Sequence, residues 1–313
     1  MSGFSVRFAV PADAPGIRTL FHRAFGTEMT AEEWQWKYAG SPDGWLGVVA
    51  ESGGEIVGNY SGSGTRFVLG GEERLAYAIG DVATDPKVRL LGRQGVFGKM
   101  AGAFYAEVAR RGLPFCFGFP SDRALAVSHR FAGTVSLRPI VLRRVPCEAI
   151  GPEPPGFAFG DSVGESFDSL WRAASAGLTA AAVRDRTRAN WRFHARPARD
   201  YRMLWREEAG AMTAWAVLSV TGENAIVADY LGSAKDGADL PALFAAAAAE
   251  AARLGARRLV FWEPPGGPGA LAIARLPGES APAGFTLIAR VFDEAAVRLF
   301  GASSFTPALY DVV

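Results

Sequence analysis

The residues Gly92-Arg93-Gln94-Gly95-Val96-Phe97-Gly98 carry the clearest chemical pattern in the chain. They follow an apolar, strand-like run from Leu75 to Thr84. They open a stretch in which Val96, Met100, Phe104 and Val108 recur every four residues, the spacing of one helix face. A glycine-rich turn between a strand and a helix leaves backbone N–H groups free and points the positive helix end at its ligand, so it suits an anion such as a pyrophosphate. The charges agree, because Pro86 to Ala106 contains no acidic residue while Lys87, Arg89, Arg93 and Lys99 are basic. The pattern is neither a Rossmann fingerprint nor a P-loop, since no Gly-Lys-Ser/Thr is present.

The elements that must position this turn come in a definite order. The helix ends at Arg110-Arg111-Gly112, the strand-like Phe115-Cys116-Phe117-Gly118-Phe119 follows, and a second helix runs from Pro120-Ser121 to His129-Arg130-Phe131-Ala132-Gly133. Upstream, Val6-Arg7-Phe8-Ala9 and then Asp13, Ile17 and Leu20 read as a first strand and first helix. This order resembles the acyl-CoA-binding core of the GNAT superfamily of N-acyltransferases. The resemblance implies that the fourth strand splays from the fifth, that pantetheine lies in the gap, and that the glycine turn cradles the pyrophosphate. The superfamily turn reads Arg/Gln-x-x-Gly-x-Gly/Ala. Anchoring on Gly95 puts Gly92 and Phe97 at its outer positions; anchoring on Gly92 restores Arg89 but puts Gln94 last. Gly95 is preferred, because the helical period starts directly after it.

The resemblance also assigns site residues. Gly92 through Lys99, with Arg93 and Lys99 as phosphate contacts, bind the cofactor, and Val82 and Thr84 offer backbone groups to the pantetheine amides. Transfer in this superfamily is direct, an amine attacking the thioester, so the protein adds a base, carbonyl polarisation and an acid. His129, four residues before Gly133, stands where relatives often place a tyrosine acid, and an imidazole can pass protons near neutral pH. The alternative is a helix residue bonded to Asp122 or to backbone. Asp81 interrupts the apolar run on the strand expected to face the thioester and is a candidate base; its alternative is a carboxylate bonded to a neighbouring strand end or to Arg89. The C-terminal carboxylate of Val313 is a third catalytic candidate, as in the survival-type tandem enzymes. Trp34, Trp36, Tyr38 and Trp45 either line an acceptor cleft or form core. Cys116, inside an apolar run, reads as a small buried hydrophobe. Ser121 replaces an asparagine common beside the cofactor arm.

Composition bounds the rest. A chain of 313 residues has room for two domains, and 49% hydrophobic with 12% aromatic residues is the make-up of a packed globular protein. A net charge of +1 argues against nucleic acid as partner. Two cysteines and three scattered histidines offer neither a disulfide framework nor metal-ligand spacing, so no metal is expected. No basic, apolar leader is visible, and the alanine-rich Leu240 to Ala252 is too short to span a bilayer. A cytoplasmic location follows as the default.

The second half repeats the first. Trp36-Lys37-Tyr38-x-x-x-Pro42 recurs 155 residues later as Trp191-Arg192-Phe193-x-x-x-Pro197, and Arg111-Gly112 and Gly133 have counterparts at Leu254-Gly255 and Gly284 in the same order. The matching turn in the second half, Asp229 to Asp239, contains three aspartates and one lysine, a balance that repels polyphosphate. The expected organisation is therefore α/β: two tandem GNAT-like domains, each a mixed, mostly antiparallel sheet flanked by helices with a splayed central strand pair. The first covers 1–146, a proline- and glycine-rich linker 147–161, and a degenerate second domain 162–313. The expected activity is acetyl transfer from acetyl-CoA to a primary amine, with a small-amine acceptor, no membrane partner and a homo-oligomer allowed. Two alternatives stand: an acyl-CoA-binding sensor or scaffold without turnover, and a tandem-GNAT aminoacyl transferase.

Overall fold

Strand and helix patterns of the first half become one compact sheet in the computed structural model, which describes residues 3–88, 92, 94–176, 178–198, 200–303 and 306–309. The elements are β1 (Ser5–Phe8), α1 (Ala14–Phe25), α2 (Ala31–Trp34), β2 (Trp45–Ser52), β3 (Glu55–Leu69), β4 (Glu72–Thr84), α3 (Val96–Arg110), β5 (Phe115–Gly118), α4 (Asp122–Val127) and β6 (Val135–Pro146). Helix α2 starts as its sequence predicts, the Thr30 hydroxyl accepting from the Glu33 N–H at 3.0 Å. It continues into a π-helical turn, Gln35–Ala39. The runs expected as two strands, Ile56–Gly64 and Thr65–Leu69, form the single 15-residue β3. Gly58 and Gly62 are the reason α3 packs so closely on this strand: an added Cβ would meet Val96 and Met100 at 2.7–2.8 Å and the Phe104 ring at 3.2 Å. Met100, Phe104 and Val108, the predicted helix face, are fully buried there with Val48 and Tyr60.

The parallel pair β4–β5 holds together only at Tyr77↔Cys116 and Ala78↔Phe117. Beyond that point β4 runs on to Thr84 without β5, which is the splay the family resemblance implies. The other edge of β5 is filled by β13 (Glu279–Val291), antiparallel from Ile288↔Gly118 to Val291↔Phe115.

The second half uses the same order: β7 (Phe157–Gly160), α5 (Ser166–Ser175), β8 (Ala180–Ala182), α6 (Arg186–Ala189), β9 (Tyr201–Glu208), β10 (Ala211–Thr221), β11 (Asn224–Gly232), α7 (Leu240–Arg253), β12 (Arg258–Trp262), α8 (Gly267–Ala274), β13 and α9 (Glu294–Ala302). A π-helical turn, Asn190–His194, again follows the short helix, and Asp185 caps it as Thr30 caps its counterpart 155 residues earlier. Strands β11 and β12 pair in parallel only from Asn224↔Arg258 to Ile226↔Val260, while β11 continues to Gly232, so this half is splayed too. The chain is thus a tandem duplication of a mixed, mostly antiparallel sheet with flanking helices. The alanine-rich α7 is core rather than membrane, with Leu243, Phe244, Ala246 and Ala247 fully buried. Among the described residues no helix is long and apolar enough to cross a membrane.

The compact units do not follow a single cut in the chain. One comprises Met1–Arg66, Glu73–Arg138 and Phe285–Arg298; the other comprises Phe67–Glu72, Pro139–Gly284 and Leu299–Val313. The last strand of each repeat is the reason. Strand β13 completes the β5 edge in the first unit, and β6 completes the β12 edge in the second, Arg258↔Pro146 to Trp262↔Leu142. Likewise Phe67–Leu69 at the end of β3 pairs with β8. The segment expected as a linker, 147–161, holds strand β7, whose residues pair with β9.

Candidate active site

Two features of the first unit meet at the open end of the β4–β5 pair, the start of α3 and the carboxylate of Asp81. Gly95 is the N-cap of α3, in extended backbone at φ −75° and ψ 172°, and no side chain caps the helix. Its N–H donates to the Gly92 carbonyl at 3.0 Å, with Gly92 at φ +109°, a conformation glycine tolerates. The first helical bond is Lys99 N–H to the Gly95 carbonyl. The N–H groups of Val96, Phe97 and Gly98 lie ahead of it, where helix geometry provides no acceptor. Such an open helix end suits an anion. Gln94 and Lys99 are exposed on it, and the Lys99 ammonium sits 5.0 Å from the Phe4 ring. Val82 and Thr84 are half-buried on the unpaired end of β4. Arg93, with Arg89, lies outside the described residues, as does Val313.

Asp81 sits on β4 just past the splay, at φ +50°. Aspartate is one of the few side chains that visit this region, at a strain on the order of 1–3 kcal/mol. The conformation is held from behind, the Asn59 amide donating to the Asp81 carbonyl at 2.9 Å and the Ser61 hydroxyl donating to Asn59 Oδ1 at 2.8 Å. The carboxylate is held from the π turn. Lys37 Nζ and the Tyr38 hydroxyl both donate to Oδ2, at 2.5 and 2.6 Å. Asp81 thus bonds to Lys37 and Tyr38, the expected alternative partner Arg89 lying outside the described residues, and no described residue bonds its other oxygen, Oδ1. The bonds of Lys37 and Tyr38 to Asp81 escaped sequence reasoning because 44 and 43 residues separate them from it. Their one signal was the repeat itself, which keeps a cation at 37 and at 192.

The neighbouring aromatics are core. Trp34, Tyr38 and Trp45 pack with ring centroids 5.5–5.7 Å apart, and Trp34 and Tyr38 are almost wholly buried. Cys116 is buried, and burial pushes its thiol up, away from the thiolate a nucleophile needs. His129 lies in the π-helical turn Ser128–Ala132. Its Nδ1 is 2.8 Å from the Thr134 carbonyl and its Nε2 is 3.0 Å from the Ser136 hydroxyl, so the bonds go to backbone and to a serine, not to Asp122. No described bond joins it to Asp81. Ser121 caps α4 without a side-chain bond.

The corresponding places in the second unit are closed by the protein itself. The carboxylate of Asp239, at the start of α7, accepts from the Ala234 N–H at 2.7 Å and the Ser233 hydroxyl at 3.0 Å, and Pro241 removes one N–H. Asp229 on β11 accepts from Arg184 Nε through both oxygens at 3.0 Å and from the Thr306 hydroxyl at 2.8 Å. A small pocket of about 20 Å³ lies beside this pair and is lined by Arg192, Trp215 and Ala308 among others. Its charges are already paired within the protein, so it is a weaker candidate than the open helix end. Among the described residues no cluster of three or more His, Cys, Asp or Glu is placed to hold a metal.

A duplicated α/β sheet whose central strands part beside an uncapped helix end is the fold of the N-acyltransferases, and solved structures share it over the whole chain. A GCN5-related N-acetyltransferase from Anabaena variabilis ATCC 29413 superposes with a TM-score of 0.68 at 11% identity, covering 92% of this chain and 73% of that one. Eis1 from Mycobacterium abscessus gives 0.60 at 17% identity, covering 95% and 76%. Saccharomyces cerevisiae N-myristoyltransferase with bound myristoyl-CoA gives 0.58 at 9%, covering 93% and 84%. Residues 5–131 match the family model of an acetyltransferase (GNAT) domain. No curated protein matches the sequence.

Proposed function

We propose that the first unit is an acyl-CoA-dependent N-acyltransferase that transfers acetyl from acetyl-CoA to a primary amine. One observation carries the reading: the uncapped N-terminus of α3, beside the point where β4 leaves β5. The pyrophosphate of the donor takes the free N–H groups of Val96, Phe97 and Gly98, and its pantetheine lies along Val82 to Thr84. The acceptor ammonium docks on Asp81 Oδ1, whose partner oxygen is fixed by Lys37 and Tyr38, and Asp81 accepts the proton as the amine attacks the thioester carbon. The C–S bond then breaks and the thiolate leaves as coenzyme A with the second proton, which the acylated nitrogen sheds and for which His129 is the candidate relay.

Thermal unfolding with acetyl-CoA, coenzyme A and ATP tests the donor site. A ligand bound only by the native state at a hundredfold over its dissociation constant adds roughly 2.7 kcal/mol, a shift of a few degrees. A shift with acetyl-CoA and coenzyme A but not ATP is expected, and no shift at millimolar acetyl-CoA sinks the assignment. A second reading, acyl-CoA binding without turnover, is favoured by one observation: both nitrogens of His129 are already bonded. Acetyl-CoA binding without acetylation across a broad amine panel would select it.

A further inference from the structure

Outside the proposed donor site, the turn after α4 brings together a hydroxyl, an imidazole and a carbonyl in line. Gly133 takes the left-handed conformation, φ +63°, which ends the π turn and brings the chain back alongside His129. Arg290 Nη1 donates to the Gly133 carbonyl at 2.8 Å and pins this reversal. His129 Nδ1 lies 2.8 Å from the Thr134 carbonyl and 3.1 Å from the Thr134 hydroxyl; the carbonyl can only accept, so the tautomer that suits the nearer contact carries its proton on Nδ1. Nε2 then carries the lone pair, and the Ser136 hydroxyl, 3.0 Å away, donates to it. His129 is half-buried, while Ser136 is exposed at the start of β6. A serine hydroxyl is a weak nucleophile until a neighbouring base receives its proton and a third group fixes that base. All three parts are present.

We propose that Ser136 and His129 form a nucleophile–base pair that accepts a short acyl group from an activated ester or thioester. Ser136 Oγ attacks the acyl carbon while its proton passes to His129 Nε2. The bond to the leaving oxygen or sulfur breaks, and that atom takes the proton from Nε2. Water then attacks the O-acyl serine by the same route in reverse. The products are the carboxylic acid and the free alcohol or thiol, with Ser136 restored, so the sum is hydrolysis with water as the co-reactant. The pair shares His129 with the proposed transfer but not the open helix end that would hold the donor, and a small ester tests it without coenzyme A.

The experiment uses the full chain with p-nitrophenyl acetate. The expected result is a burst of p-nitrophenolate of about one equivalent, the mark of an accumulating acyl-enzyme. Peptide mass mapping should then place the acetyl group on Ser136. Ser136→Ala removes burst and adduct, Ser136→Cys restores an adduct at the same position, and His129→Gln slows the burst at least tenfold, in line with loss of a general base. No burst, an adduct mapped to another residue, or an unchanged burst in Ser136→Ala overturns the proposal. Mapping on the unsubstituted chain decides the matter even if a variant fails to fold.

Discussion

The two repeats begin the same helix in opposite ways. At α3 the N-cap is Gly95, with no side chain to offer, and the helix end is open. At α7 the N-cap residue is Asp239, which places a negative charge at the helix end while its carboxylate accepts from the preceding loop, and a proline sits among the first residues. The aspartates on the preceding strands differ in the same sense. Asp81 keeps one oxygen unbonded by any described residue, whereas Asp229 is closed on both by Arg184 and covered by Thr306. Arg192, the counterpart of Lys37, donates to the Ala308 carbonyl at 2.9 Å. One backbone plan therefore serves two ends. Polar groups left unsatisfied inside a fold are a liability unless a ligand completes them, and the second repeat completes them internally.

The largest expected effect tests whether the repeats are independent at all. A fragment of residues 1–146 lacks β13, so Phe115, Cys116 and Phe117, now at most 1% exposed, lose a strand partner. It should show no cooperative melt, and a sharp transition would mean that the exchanged strand is dispensable. Next, Asp229→Asn leaves Arg184 buried without its counter-charge, which costs about 3–5 kcal/mol of stability with donor affinity unchanged. Asp81→Asn should do the reverse, lowering acetyl transfer by roughly a hundredfold while acetyl-CoA still binds. If the two variants exchange phenotypes, the assignment of an active and a structural aspartate is wrong. Gly95→Asp gives the first repeat the capping carboxylate of the second. The site at φ −75° accepts any L-residue, so the fold should persist. Repulsion of the pyrophosphate should weaken acetyl-CoA about a hundredfold, close to 2.7 kcal/mol. Unchanged affinity in calorimetry would remove the helix end from the donor site.

Much of this was legible in the sequence because it is local. The four-residue recurrence from Val96 fixed the face of α3, Thr30 with Glu33 announced a cap, and the tryptophan–cation–aromatic motif at 36–38 and 191–193 announced the duplication. The acidic balance around 229–239 announced the closed second turn. What the sequence did not yield depends on contacts far apart in the chain. The exchange of β6 and β13 is a pairing choice between strands of similar pattern, which periodicity cannot rank. The Lys37–Asp81 and Ser136–His129 contacts arise only when the left-handed backbone at Asp81 and a reversing turn at Gly133 place them side by side. Asp81 was visible as an oddity in an apolar run, but its partner was not.

The smallest expected effect lies at α7. Removing the Asp239 carboxylate by substitution with alanine leaves the Ala234 N–H and the Ser233 hydroxyl without their acceptor. It also withdraws negative charge from the positive helix end. Loss of the acceptor shared by these two loop donors costs about 1 kcal/mol, which in a unit of this size lowers the melting temperature by about 2–4 °C. The variant should still not gain a second donor site, because Pro241 supplies no N–H and the strand aspartate stays closed by Arg184. Calorimetric titration with acetyl-CoA is therefore expected to keep one site per chain. Two sites would mean that the single carboxylate of Asp239, rather than the whole closed arrangement, separates the repeats.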